Sequence, residues 1–308
     1  MAEQQEPHAH VFHTRDEITA MKYQEKQNTL GFYEAVPTPT KEELQAHYRD
    51  QYYQNATGTY APDYLPEEIE YFRNLAKVAL ETATHYKLDT SALDLGCGEG
   101  FFTKAFHSFG WNVACCDFSE FGIAKHNKDM LPYFMSGDLY QCLQKHISDQ
   151  RKYGLVNLQN VLEHVIDPIS LLNDVKPLLS RNSALRVKVP NDYSDFQLAL
   201  QEKGFTQNTW FSPPEHLSYF NQVSLLETLE HCGYRLLSLQ ADFPIELFLA
   251  NKNSNYWADR SLGKGAHFAR VFCENHLINK NIRDYINYSE AAAKLGYGRT
   301  LVAYVTLA

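Results

Sequence analysis

The chain has 308 residues, long enough for one large α/β domain with additions or for two smaller domains, and its 44% hydrophobic and 21% charged residues are ordinary globular values. No run approaches the roughly 18 apolar residues of a membrane span, and MAEQQEPHAHVFH at the start lacks the basic and apolar regions of a secretory signal, so a soluble, cytoplasmic protein is expected. A net charge of −9 without a Lys/Arg cluster argues against nucleic acid as the partner.

Residues 1–36 are polar and weakly patterned and read as a flexible tail. His8, His10 and His13 within it lack the further ligands that a metal site needs, and no metal is expected. Residues 37–87 read as a helical, tyrosine-rich lid. Thr40 and Glu43 make a capping box for a first helix, and Tyr52, Tyr53, Tyr60 and Tyr64 fall in the loop after it. A second helix runs from Pro66 to about His85, with Ile69, Phe72, Leu75, Ala76, Ala79 and Leu80 at helical spacing.

From residue 88 to 250 the pattern alternates. SALDL, WNVACCDF, PYFMSGD, YGLVNLQ and SALRVKVP read as strands, with helices FFTKAFHSF, SEFGIAKHNKDM and DPISLLNDVKPLL among them. Strands separated by helices of this length predict a parallel, doubly wound sheet with helices on both faces. A helix QVSLLETLEHCG and a strand YRLLSLQA follow, and RTLVAYVTL, within residues 298–308, is the last strand. The segment 251–297 between these two strands is far longer than a hairpin loop and predicts a helical insertion over one end of the sheet. The cysteines at 97, 115, 116, 142, 232 and 273 form no CxxC pair, so free thiols are expected.

The chemistry concentrates in ALDLGCGEGFF. A strand, a glycine-rich turn and a helix hold adenosine-type cofactors at the carboxyl ends of parallel strands. The glycines are Gly96, Gly98 and Gly100, with Asp94 ahead of them and Phe101 where a dinucleotide fingerprint requires glycine, which counts against a NAD-dependent oxidoreductase. A buried Asp94 needs a partner, and a cationic ligand would supply one. Asp117 ends the second strand where an acid accepts both hydroxyls of a ribose, and Asp138 ends the third, placed for an adenine amine with Leu139 beside it.

LDLGCGEG, CDFS, SGDL and NVLEHVIDP in this order resemble the core of class I methyltransferases dependent on S-adenosylmethionine, in the small-molecule branch of the ubiquinone-type and sugar methyltransferases. The resemblance covers about residues 88–240. It implies S-adenosylmethionine as cofactor and a Rossmann-like, mostly parallel seven-stranded sheet. Gly96, Gly98 and Gly100 then admit the amino acid moiety, Asp94 orders the loop, Asp117 with Phe118 beside it holds the ribose, and Asp138 and Leu139 flank the adenine. Gln159 and Asn160 face the methyl donor, and the tyrosine segment folds over the cofactor, with Tyr60 toward it and Tyr52 and Tyr53 toward the acceptor.

Methyl transfer to a hydroxyl or an acidic carbon needs a base. His216 in WFSPPEHLSYF is the residue chosen, with Glu215 as the alternative, and His164 in NVLEHVID shapes the pocket. Tyr256, His267 and Arg270 in the insertion are placed to grip an anionic group of the acceptor. The expected function is methylation of a small molecule, a nucleotide-linked or polysaccharide-precursor sugar first. Alternatives are O- or N-methylation of a phenolic or other secondary metabolite, and a catalytically silent S-adenosylmethionine-binding module. A homodimer is the assembly considered.

Overall fold

The computed structural model describes residues 22–47 and 63–308. Tyr52, Tyr53 and Tyr60, and the histidines at 8, 10 and 13, lie outside the described residues. In chain order the elements are β1 (Gln24–Gln27), β2 (Tyr33–Val36), α1 (Lys41–His47), α2 (Pro66–His85), β3 (Ser91–Leu95), α3 (Phe101–Ser108), β4 (Asn112–Asp117), α4 (Phe121–His126), β5 (Phe134–Ser136), α5 (Leu139–Ser148), β6 (Tyr153–Gln159), α6 (Pro168–Val175), β7 (Leu179–Pro190), α7 (Asp195–Glu202), β8 (Ser218–Tyr219), α8 (Gln222–His231), β9 (Tyr234–Ala241), α9 (Gly263–Lys280), α10 (Ile282–Lys294) and β10 (Thr300–Leu307).

Seven strands form one sheet in the order β5-β4-β3-β6-β7-β10-β9. Every pair from β5 to β7 is parallel, and β10 runs antiparallel to both β7 and β9. This is the doubly wound, mostly parallel sheet that the alternation predicts. Successive side chains of a strand point to opposite faces. Leu93, Leu95, Val156, Leu158, Leu185 and Val187 point to one face and pack with Leu143 of α5, Leu171 and Leu172 of α6 and Leu225 of α8. Ala92, Leu155 and Ala184 point to the other, against Ala76 and Ala79 of α2 and Phe102 and Phe106 of α3. Among the described residues no helix is long and apolar enough to cross a membrane.

The expected flexible tail is corrected for its second half. β1 and β2 pair antiparallel around a turn in which Leu30 donates to the Asn28 side chain, and β2 pairs with β8 in a second, three-stranded sheet. Phe32, 1% exposed, reaches the main core and packs against Phe220 with ring centroids 4.7 Å apart. β1 carries only exposed polar side chains and so shows no strand alternation in the sequence. The capping box of α1 is present, with reciprocal bonds between Thr40 and Glu43. In the insertion, α9 packs on α2 and α10 along β9.

Candidate active site

The face of the sheet toward α2 and α3 changes character along the strands. It is apolar at Ala92, Leu155 and Ala184, and two residues on it carries Asp94, Asn157 and Arg186. Asp94 is 3% exposed, and Thr103 donates to one of its oxygens at 2.9 Å and Asn157 to the other at 2.7 Å. Arg186 donates to the side-chain amide oxygens of Asn157 (2.6 Å) and Gln159 (3.0 Å), so the acid is held inside a protein network. Burial pushes the Asp94 carboxyl up to about 6, against the pull of those donors and of Arg186. β6, β7 and α3 thus supply Asp94 with partners inside the protein, and the acid, which also lines a cavity on the glycine loop, braces the start of that loop.

The loop itself is dictated by packing at two positions. Gly96 has φ +79°, and a Cβ there would lie 2.6 Å from Val161 Cγ2; Gly100 has φ +75°, with Ile123 Cγ1 2.8 Å from the same construction. At the third glycine, the Gly98 amide donates to Asp117 at 2.9 Å, while the other Asp117 oxygen accepts from Ser119 at 3.2 Å. Burial raises the Asp117 carboxyl, and the backbone amides of Gly98 and Ser119 oppose that rise. From the segment before α2, Tyr64 donates to both oxygens of Glu99, at 2.9 and 2.8 Å.

Two adjoining cavities sit on this loop. The first, about 420 Å³, is lined by Gly96, Gly98, Asp117, Phe118, Asp138, Leu139, Gln159, Asn160, His164 and Lys41 among others. The second, about 260 Å³, shares Gly96, Gly98 and Gln159 with it and adds Asp94, Gly100, Phe72, Leu75 and Arg186. Asp138 differs from expectation in one respect. β5 stops at Ser136, and Asp138 caps α5 by accepting from the Tyr140 amide at 3.0 Å. Its carboxylate still lines the first cavity. The lining fits S-adenosylmethionine: the half-buried acids Asp117 and Asp138 are placed to meet a nucleoside, and among the described residues Lys41 is the one Lys or Arg on the first cavity, so no cationic cradle for phosphate lines it.

The structure brings His164 and His216 together, ring centroids 4.8 Å apart at 77°. The His164 Nδ1–H donates to the Glu215 carbonyl at 2.6 Å, while the Glu215 side chain is exposed. Burial, and then the Arg299 charge, push the His216 ring down to about 4. Glu163, absent from the expected set, lies 1% exposed beside them, and burial pushes its carboxyl up to about 8. The insertion residues behave differently from expectation. His267 meets Glu68 at 2.8 Å, Arg270 meets His267 at 3.1 Å and lies over Tyr71, so these two are paired within the α2–α9 contact. Tyr256 is half-buried, and burial with the Glu246 charge raises its hydroxyl to about 12.

Beyond Arg186 the carboxyl ends of β7 and β9, with the amino end of β10 between them, gather charge that the sequence reading missed. Arg299 donates to Asp192 at 2.7 Å and lies 3.6 Å from Glu246. Lys188, on the same face as Arg186, is held below the usual lysine range by burial, with Asp242, Arg270 and Glu274 close enough to act on it. The one signal available was RVKV in a core strand, where two cations fall on the same face at period two.

Residues 62–239 match the family described as Methyltransferase domain. The ubiquinone biosynthesis O-methyltransferase of Coxiella burnetii is 23% identical over 167 residues, covering 50% of this chain and 70% of that protein. The protein of the same name from Actinobacillus pleuropneumoniae is 24% identical over 167 residues, covering 49% and 71%. Among solved structures, a SAM-dependent methyltransferase from Archaeoglobus fulgidus superposes with TM-score 0.48 at 20% identity over 76% of this chain and 93% of its own. The CcbJ methyltransferase from Streptomyces caelestis gives 0.47 at 14% over 86% and 96%. With more than half of its length matched and the glycine loop and its acids standing on the sheet, the chain belongs to the methyltransferase domain family and is an enzyme dependent on S-adenosylmethionine.

Proposed function

We propose that this enzyme methylates a hydroxyl or a carbon of a small polar molecule, a nucleotide-linked or polysaccharide-precursor sugar first among them. The observation that carries this reading is the cluster of charge that continues from Arg186 of the second cavity, where Lys188, Asp192, Asp242, Glu246, Arg270, Glu274 and Arg299 gather. A polyhydroxylated acceptor reaching this cluster answers it with hydrogen bonds, whereas an apolar one would leave polar groups desolvated and unmet. A phenolic hydroxyl is the second reading, favoured by the relatives named for ubiquinone biosynthesis.

When bound, S-adenosylmethionine supplies a methyl carbon activated by positive sulfur. In this reading the Asp117 carboxylate accepts from the ribose hydroxyls, with Phe118 against the ring and Asp138 and Leu139 at the base. The backbone at Gly96, Gly98 and Gly100 lies along the amino acid end. Gln159, locked by Arg186, and Asn160 border the acceptor position. His216 is neutral at pH 7, the form able to take a proton from an acceptor hydroxyl. Tyr256 and Arg270 bound the acceptor from the insertion.

Calorimetry with S-adenosylhomocysteine tests the cofactor site. Asp117→Ala should weaken binding at least about tenfold, the worth of a charged hydrogen bond, and unchanged affinity would remove the assignment. Turnover is then read with labelled methyl donor on a cell extract and the product identified by mass. His216→Ala should abolish it while leaving cofactor affinity intact. Cofactor binding with no labelled product from any extract would favour the silent module.

A further inference from the structure

Glu163 is the least explained side chain in the molecule. It is 1% exposed, yet neither carboxylate oxygen has a hydrogen-bond partner among the described residues. Its backbone is fixed, because the amides of Leu217 (2.8 Å) and Ser218 (3.2 Å) both donate to the Glu163 carbonyl and draw the segment before β8 onto the loop after β6. That tie sets His216 against it. The Nδ1 of His216 is likewise buried without a partner among the described residues.

His164 completes the group. A carbonyl oxygen only accepts, so the bond to Glu215 places the proton on Nδ1 and leaves the lone pair of the neutral ring on Nε2, which lies 3.8 Å from a Glu163 oxygen. Ligating histidines are oriented in this way by a carbonyl at the opposite nitrogen. One ligand atom from each of Glu163, His164 and His216 falls within 4.8 Å of the others. Ligands of a tetrahedral zinc ion stand about 3.3 Å apart, given bonds near 2.0–2.1 Å, so modest side-chain rotations bring these three to one centre.

The two Glu163 oxygens and His216 Nδ1 meet no donor among the described residues, and a cation between them would supply the missing partner to all three atoms. Lys188 and Arg299 act on Glu163 through space, but neither bonds to it. We propose that Glu163, His164 and His216 form a three-ligand site for a divalent transition metal ion of the zinc class. Two imidazoles and one carboxylate are a donor set that zinc accepts, with a fourth position left open. His164 also lines the first cavity, so the open position adjoins the cofactor space. This goes beyond the methyl-transfer reading. A ligated His216 has committed a lone pair that the base role requires.

The test uses the full chain, freed of metal with a chelator and titrated with zinc chloride by calorimetry and with cobalt chloride by visible absorption. To keep the histidines at 8, 10 and 13 from contributing to the titration, all three are first replaced by alanine, and the remaining substitutions are made in that background. One zinc per chain at submicromolar Kd is expected, with a cobalt spectrum of four-coordinate intensity. Glu163→Gln, which keeps the shape, and His216→Ala should each weaken zinc at least thirtyfold. Thermal midpoint and S-adenosylhomocysteine affinity report that each variant is folded; if His216→Ala is not, loss of the cobalt band in Glu163→Gln decides. Absent zinc binding, binding lost with the N-terminal histidines alone, or a Kd unmoved by Glu163→Gln would each overturn the site. The zinc titration needs no cofactor, so a failure of the methyl-transfer reading shows separately, as absent binding of S-adenosylhomocysteine.

Discussion

Asp94 shows how one residue can be structural inside a site that binds a ligand. Its two oxygens are taken by Thr103 and Asn157, and burial is the largest influence on its carboxyl. In the folded protein the proton is kept to about pH 6, in the unfolded chain only to the ordinary value of 3.8. Between those values the folded state binds more protons, so stability falls as pH rises and stays reduced above pH 6. Asp94→Asn cannot titrate. Whatever constant cost its amide brings, the midpoint of the variant relative to the native chain should climb from pH 4.5 to 6.5 and then level. At 1.36 kcal/mol per pKa unit the whole shift is worth about 3 kcal/mol, of which about 2 kcal/mol falls between pH 4.5 and 6.5. Thermal unfolding across that range checks it, and a flat difference would mean that Arg186 keeps Asp94 ionised throughout.

At the scale of elements, the glycine loop is shaped by its neighbours before any ligand arrives. Gly96→Ala should destabilise the protein by about 1–3 kcal/mol, combining a left-handed backbone with a contact to Val161 that real side chains do not make. Val161→Ala in the same chain should recover part of that loss and never all of it, because the positive φ remains. Denaturant unfolding of the four proteins of this cycle measures the coupling; purely additive losses would show that Val161 is not the obstacle. The same loop marks what the sequence could tell. Apolar runs between glycines gave β3, β4, β6 and β7 directly, and the acids at 94, 117 and 138 were visible as interruptions of those runs. β1 was illegible because an exposed strand has no alternation to display, and Phe32 stands in LGFYEAV, too short an apolar segment to announce a core residue. The partners of Asp94 were illegible for another reason: Asn157 and Arg186 meet it only through strand order, which a sequence pattern does not state. His267 and Glu68, 199 residues apart, pair only because the insertion folds back on α2.

Across the whole molecule, the parts of the chain are joined by buried charge as well as by apolar packing. Arg299, just before β10, bonds Asp192 after β7 and lies near Glu246 in the segment that leads into the insertion. About a quarter of its side chain, 27%, remains exposed, while Asp192 and Glu246 are almost fully covered. Replacing Arg299 with methionine keeps most of the volume and strands two carboxylates that burial already pushes up. The loss should be about 3 kcal/mol, at the lower end for breaking a buried pair. Arg283→Ala removes an equally short ion pair, to Glu81, but its own side chain is 81% exposed, so less than about 1 kcal/mol should be lost. Denaturant midpoints of the two variants, compared in low and high salt, separate the cases. The exposed pair should fade with salt and the Arg299 loss should persist. Equal losses at the two positions would mean that the carboxyl edge is wet enough to screen its charges, and the argument for a polar acceptor held by that edge would lose its footing.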